Sequence, residues 1–239
     1  MLQFIPSGDS AFIIKAGYEI SEEINIIVRK LLLRVEKEKN DCITDLIPSY
    51  NELMICYDPL KTGYRELLDI LRTCEADLDS VELPEASVIN VPVLYGGEQG
   101  PDLNEVAEIN SLTTDHLIEI HCSVTYLVYM LGFTPGFCYL GGMDHRIATP
   151  RRQTPRLKIP AGTVGIAGSQ TGIYPIESPG GWQLIGMTPL QLFNPDKKPE
   201  FLFTAGDYIK FCPVMEDEFS TILNEVNNGV YHLKRSKLT

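Results

Sequence analysis

The chain lacks most of the features that assign a protein quickly. Its 239 residues hold no uninterrupted apolar run of membrane-spanning length and no signal-type apolar segment near the start, so a cytoplasmic location without a membrane partner is expected. Cations are scarce, with 20 Lys+Arg against 32 Asp+Glu, a net charge of −12 and a pI near 4.8. No basic tract repeats, which argues against nucleic acid as a partner. Six cysteines (Cys42, Cys56, Cys74, Cys122, Cys138 and Cys212) include no C-x-x-C pair and read as reduced packing residues. Of four histidines, His116 and His121 stand five apart, on different faces of a helix, so no metal site is expected. There is neither a G-x-x-x-x-G-K-[ST] phosphate loop nor a G-x-S-x-G elbow. Nucleotide handling and any covalent nucleophile must then come from another chain, or not exist.

What is present reads as an ordinary globular protein, 44% hydrophobic and 22% charged. The first eighty-odd residues alternate elements. Ala11–Lys15 is a strand after the Ser7-Gly8-Asp9 turn, and Ser21 caps a helix whose apolar positions Ile24, Ile27, Val28, Leu31, Leu32 and Val35 keep the 3.6-residue period. Cys42–Ile47 and Leu53–Tyr57 flank the Pro48-Ser49-Tyr50-Asn51 turn, and a second helix runs from about Thr62 to Glu75. The order strand–helix–strand–strand–helix predicts a small α+β domain, ferredoxin-like in its βαββα arrangement, over residues 1–84. The acidic stretch EADLDSVELPEA marks a boundary. Beyond it, residues 85–239 predict a mainly-β barrel. Val88–Leu94 is a strand, Pro101-Asp102-Leu103 opens a helix, and Thr113 or Thr114 caps another through His121. Short strands with Gly/Pro turns follow, including Leu190–Asn194, Phe201–Phe203 and Tyr208–Val214, then a helix over Glu216–Val230 with a frayed polar tail.

Charge and backbone chemistry change between Asp144 and Asp196. The only acid inside that interval is Glu177, while Arg146, Arg151, Arg152, Arg156 and Lys158 supply five cations, and eleven of the 19 glycines fall between Gly132 and Gly186. A cationic surface in an acidic protein suits an anion or an acidic partner face. Arg151 and Arg152, stiffened between Pro150 and Pro155, present guanidinium forks to a carboxylate or phosphate, or pair with a local acid. Arg156 and Lys158 alternate along a presumed strand and read as partner-surface charge. Gln170, Thr171 and Tyr174, in G-S-Q-T-G-I-Y-P, offer amide and hydroxyl groups to a ligand or cap their own hairpin. Trp182 stacks on a ligand or belongs to the core. His121 closes a helix before a strand, where it reaches the barrel mouth as an acid or base, or is satisfied by a backbone carbonyl. Asp144 orients a catalytic group or pairs with Arg146.

Four long motifs carry a resemblance: V-P-V-L-Y-G-G-E-Q-G-P-D-L at 91–103, G-F-T-P-G-F-C-Y-L-G-G-M-D at 132–144, the Arg- and Gly-rich run at 148–186, and T-P-L-Q-L-F-N-P at 188–195. From Ile89 to Val214 the chain resembles the family that contains the 5-oxoprolinase B subunit, the sporulation-kinase inhibitor KipI and allophanate hydrolase subunit 1. The resemblance implies a cyclophilin-like β-barrel after the α+β domain, a companion C subunit (KipA-like) and, for 5-oxoprolinase, an A subunit, with ATP used by the assembled complex. It implies ATP-dependent conversion of 5-oxo-L-proline to L-glutamate, to which this chain contributes as a non-autonomous subunit. Two alternatives share the motifs, inhibition of a histidine kinase's autophosphorylation and a carboxyltransferase or allophanate hydrolase role in urea degradation. Cys138 stands where the family's pattern has proline, which marks a tolerated small residue.

Overall fold

A computed structural model describes residues 2–238. The chain forms two compact units, Met1–Glu85 and Ala86–Thr239. In the first, β1 (Gln3–Pro6), β2 (Ala11–Lys15), α1 (Glu22–Glu38), β3 (Ile43–Pro48), β4 (Glu52–Tyr57) and α2 (Tyr64–Ala76) follow one another. The sheet order is β1-β2-β4-β3 and every pairing is antiparallel. Alternation along β2 and β4 sends Phe12, Ile14, Leu53 and Ile55 to one face, where they bury against Val28, Leu31 and Val35 of α1 and Leu67 and Leu71 of α2. The Ser21 hydroxyl caps α1 by accepting from the Ile24 N–H at 3.3 Å. Strand β1 is not foreseen from the sequence. It is short and mostly exposed, so it carries little hydrophobic alternation, and only its pairing with β2 defines it.

The second unit contains β5 (Ser87–Tyr95), α3 (Leu103–Ile109), α4 (Thr114–Ser123), β6 (Tyr126–Leu131), β7 (Cys138–Gly141), β8 (Arg156–Ile159), β9 (Thr163–Ala167), β10 (Gln170–Ile173), β11 (Ser178–Gly180), β12 (Gln183–Met187), β13 (Tyr208–Pro213), α5 (Glu216–Asn227) and β14 (Arg235–Lys237). The main sheet runs β10-β9-β12-β5-β13-β6-β7. Its two end strands, β10 and β7, lie against each other, which makes a nearly closed barrel. Strands β5 and β13 pair in parallel from Val88↔Tyr208 to Val93↔Pro213, while the other ladders of this sheet are antiparallel. Ile89, Val91, Val128, Ile166, Ile185 and Phe211 fill the interior. Strands β8 and β11 form a separate two-stranded ribbon.

Three expectations change here. Leu190–Asn194 and Phe201–Phe203 form no strands and meet only through a Phe193↔Phe201 bridge. The tail after α5 is not frayed throughout, because Arg235–Lys237 adds antiparallel to Ser87–Ile89 of β5. Of Arg156 and Lys158, expected together as partner-surface charge, Lys158 stays exposed while Arg156 is partly buried. Arg156 turns to Asp102 and Lys158 to Glu177 at 3.0 Å.

Tight turns between these strands demand glycine at particular places. Gly162 has φ +84°, and a Cβ there would lie 2.4 Å from the Thr188 carbonyl oxygen. Both left-handed strain and a backbone clash oppose any larger residue. Gly162→Ala should therefore destabilise the protein by about 2 kcal/mol or more. That loss would lower Tm by roughly 4–8 °C in a chain of this size, readable by calorimetry. An unchanged Tm would mean that the turn relaxes freely.

Candidate functional site

The cationic block is organised by a residue outside it. Asp102 is 4% exposed. Its Oδ1 accepts from Arg156 Nη2 at 2.7 Å and Arg152 Nη1 at 3.2 Å, and its Oδ2 accepts from the Leu184 N–H at 2.7 Å. The Asp102 N–H donates to the Leu184 carbonyl at 2.9 Å. Although Asp102 precedes α3, its side chain makes no capping bond to that helix. Arg152 thus serves first as half of an ion pair, with Glu105 also 3.6 Å away. The acid partner absent from the neighbouring sequence lies 50 residues upstream of Arg152.

With Arg152 and Arg156 neutralised, Arg151 is left exposed, and no carboxylate pairs with it among the described residues. It edges a cavity of about 250 Å³ walled by Phe133, Phe137, Tyr139, Tyr174 and Trp182, with Gly180 and Gly181 between them. Phe137 sits edge-to-face with Trp182 (5.6 Å, 89°), Tyr174 (5.9 Å, 75°) and Tyr139 (5.1 Å, 69°). Trp182 and Tyr174 are steeply inclined to each other, at 6.3 Å and 77°. Gly180 is required beneath Tyr174, because a Cβ there would lie 2.2 Å from the phenol oxygen. Burial raises the Tyr174 pKa, so its hydroxyl stays neutral. Both readings of Trp182 hold together, since it is 7% exposed, packs in a satellite core and still faces the cavity. Phe133, 68% exposed and held at φ 64°, stands at the rim. A cavity of this kind takes a small planar group against its aromatic walls and an anionic substituent at Arg151.

The remaining expected residues lie elsewhere. Gln170 opens β10 opposite Ala167, so the expected shaped loop is a two-residue hairpin at Gly168-Ser169, and Gln170 does not line the Arg151 cavity. Thr171 points inward and is buried. His121 does not reach the barrel mouth, being fully buried (0% exposed) and stacked on Phe211 at 4.5 Å. Its Nδ1 lies 2.7 Å from the Tyr95 hydroxyl and its Nε2 lies 2.9 Å from Thr171 Oγ1. Thr171 Oγ1 donates to the Gly165 carbonyl at 3.1 Å, so it accepts from His121 Nε2–H, and Nδ1 accepts from Tyr95. Neither ring nitrogen faces solvent. Asp144 pairs with Arg146, accepting from its backbone N–H at 2.9 Å and its Nη2 at 2.7 Å. Arg146 holds the Asp144 carboxyl down to about 2. No group of three or more His, Cys, Asp or Glu side chains able to hold a metal occurs among the described residues. No helix among them is long and apolar enough to cross a membrane.

Sequence reasoning missed Asp102, Glu105, Gln183 and the Phe133–Phe137 wall. The turn chemistry of G-P-D-L hinted at Asp102, but helix opening explained it equally well.

Two measurements check this geometry. Asp102→Ala leaves two half-buried guanidiniums and the Leu184 N–H without their acceptor, so it should cost about 3 kcal/mol in denaturant unfolding. A loss below about 1 kcal/mol would show that the pairs are dispensable. Burial lowers the His121 pKa from 6.5 to about 3. Between those values the unfolded chain binds a proton that the folded one does not. Stability should therefore fall with pH below about 6.5, at up to about 1.4 kcal/mol per unit. Between about pH 6.5 and 5, above the ordinary carboxylate range, His121→Gln should flatten that slope. A slope that is the same in the variant would assign it to other groups.

Residues 2–203 match the family described as carboxyltransferase domain, subdomain C and D. The 5-oxoprolinase B subunit of Bacillus subtilis is 43% identical over 234 residues, 92% of this chain and 96% of the relative. A conserved uncharacterised protein from Pyrococcus horikoshii, of known crystal structure, is 52% identical, with TM-score 0.55 over 91% of this chain and 100% of that one. The urea carboxylase of Kluyveromyces lactis is only 20% identical. It shares the fold with TM-score 0.80 over 99% of this chain and 24% of its own.

Proposed function

The chain belongs to the carboxyltransferase domain family of subdomains C and D, with the 5-oxoprolinase B subunits as its relatives, and on that premise we propose that it is the B subunit of an ATP-dependent 5-oxoprolinase. In this reading it hydrolyses 5-oxo-L-proline to L-glutamate in the cytoplasm, together with the A and C subunits. The observation that carries the reading is 43% identity to a 5-oxoprolinase B subunit over 96% of that relative's length. The urea-degrading alternative rests on more distant likeness, and no feature of the site favours a histidine kinase as partner. We read the two units as a ferredoxin-like domain (1–84), its fourth strand supplied by the N-terminal hairpin, and a cyclophilin-like barrel (85–239).

The site supports a defined share of the chemistry. 5-Oxoproline is a small planar lactam bearing one carboxylate. Arg151 takes the carboxylate by charge-assisted hydrogen bonds, and Phe137, Tyr174 and Trp182 receive the lactam ring. The aromatic walls exclude water from the ring until it is positioned. A nucleotide does not fit this cavity, whose volume is about 250 Å³ and whose rim carries one unpaired cation. The sequence also has no phosphate loop. ATP is thus handled by the other subunits, and His121 and Asp144 are proposed as structural rather than catalytic groups.

Mixed with the A and C subunits, the chain should support 5-oxoproline turnover, and alone it should support none. Steady turnover by the isolated chain would refute that division of labour. In the complex, Arg151→Ala should lower kcat/KM about 10- to 100-fold, the loss of one charge-assisted contact. Tm should hardly move, since Arg151 is exposed. A fully active Arg151→Ala complex would place the carboxylate elsewhere.

A further inference from the structure

Arg151 borders a second cavity of about 430 Å³, and this one is polar rather than aromatic. Glu105, Pro150, Arg152, Thr154 and Gln183 are among its other lining residues. Gln183 is 4% exposed. Its Nε2 donates to the Pro150 carbonyl at 3.2 Å, which settles the amide orientation and leaves Oε1 as the free acceptor. That Oε1 has no donor, and Arg152 Nε has no acceptor. An unpaired buried amide oxygen is costly, so a ligand N–H that reaches it is strongly favoured. Glu105 adds a half-exposed carboxylate, shared with Arg152 at 3.6 Å. The wall therefore holds an exposed acceptor, Glu105, and beneath its surface the undonated Gln183 amide oxygen, beside guanidiniums for carboxylates.

We propose that this polar cavity is a binding site for a free acidic α-amino acid in its zwitterionic form, with Gln183 Oε1 and Glu105 receiving the ammonium and the unpaired Arg151 receiving carboxylate, assisted by the face of Arg152 that its Nη1 bond to Asp102 leaves unused. The inference rests on the hydrolase reading for its identity as the product site. Hydrolysis of the lactam adds water across the C–N bond: the water oxygen completes a second carboxylate on the carbonyl carbon, and both water hydrogens end on nitrogen, turning the N–H into an ammonium. The wall of the aromatic cavity has no side-chain carboxylate or carboxamide for that ammonium, whereas the polar cavity has both. Because Arg151 lines both cavities, it can keep hold of the original carboxylate as the opened product changes sides.

The test uses the full chain and calorimetric titration with L-glutamate and with glutarate, which has both carboxylates but no ammonium. L-Glutamate should bind at least about tenfold more tightly than glutarate, equivalent to about 1.4 kcal/mol. Gln183→Leu and Glu105→Gln should each shrink that ratio severalfold, with melting temperatures recorded to confirm folding. Should Gln183→Leu fail to fold, the exposed Glu105→Gln variant decides. Equal binding of the two ligands, no binding of either, or a ratio unchanged in the folded variants overturns the proposal. Turnover of 5-oxoproline by the complex is scored separately. Selective glutamate binding without any turnover would leave the amino-acid site standing and remove the hydrolase reading. Turnover without selective binding would do the reverse.

Discussion

The carboxylate of Asp102 holds three separated chain segments at once, and the arrangement of the site depends on it. It ties the turn before α3 to the Arg152–Arg156 segment through two guanidiniums, and to β12 through the Leu184 backbone. Removing a carboxylate from water is expensive, and only several donors converging on it make the burial tolerable. Those donors consume two of the block's cations. The charge left over is Arg151, poised between an aromatic and a polar cavity. A surface that looks broadly cationic in composition is, in three dimensions, a structural ion-pair cluster with one guanidinium to spare.

A second buried polar chain stabilises the barrel interior. Tyr95, His121, Thr171 and the Gly165 carbonyl form an ordered donor sequence from β5 through α4 to β10 and β9. Each member satisfies its neighbour, so a neutral imidazole can sit among Tyr126 and Phe211 without an unpaired nitrogen. In the proposed reading this satisfaction gives His121 a structural rather than an acid–base role. The same proposal covers Asp144, which is paired with Arg146.

The division between aromatic and polar cavities matches a reaction in which a nearly neutral ring becomes a zwitterion. Substrate and product differ little in size and not in net charge, but greatly in hydration and in the number of charged groups. In the proposed reading, two adjoining surfaces that share Arg151 distinguish them without large motion of the chain.

Local chemistry made much of this protein legible in its residues alone. Period-2 and period-3.6 apolar patterns marked β2, β4, α1 and β5. Ser21 and Thr113 marked helix starts, and Gly/Pro punctuation marked a barrel of short strands. The long motifs from 91 to 195 placed the chain in its family, and the Gly-rich block marked Arg151, Arg152, Gln170, Thr171, Tyr174 and Trp182 as candidates without showing that only Arg151, Tyr174 and Trp182 of them meet at the aromatic cavity. What sequence could not show was which charges cancel. Asp102 and Arg156 are 54 residues apart, and nothing local records that the barrel closes them to 2.7 Å. Nor could it show that His121 points at Thr171 rather than at solvent, since a helix-end histidine has the same local pattern in either case. Strand and helix are decided by neighbours along the chain. The roles of charged and titratable side chains are decided by burial and by partners that only the tertiary fold brings within hydrogen-bond distance.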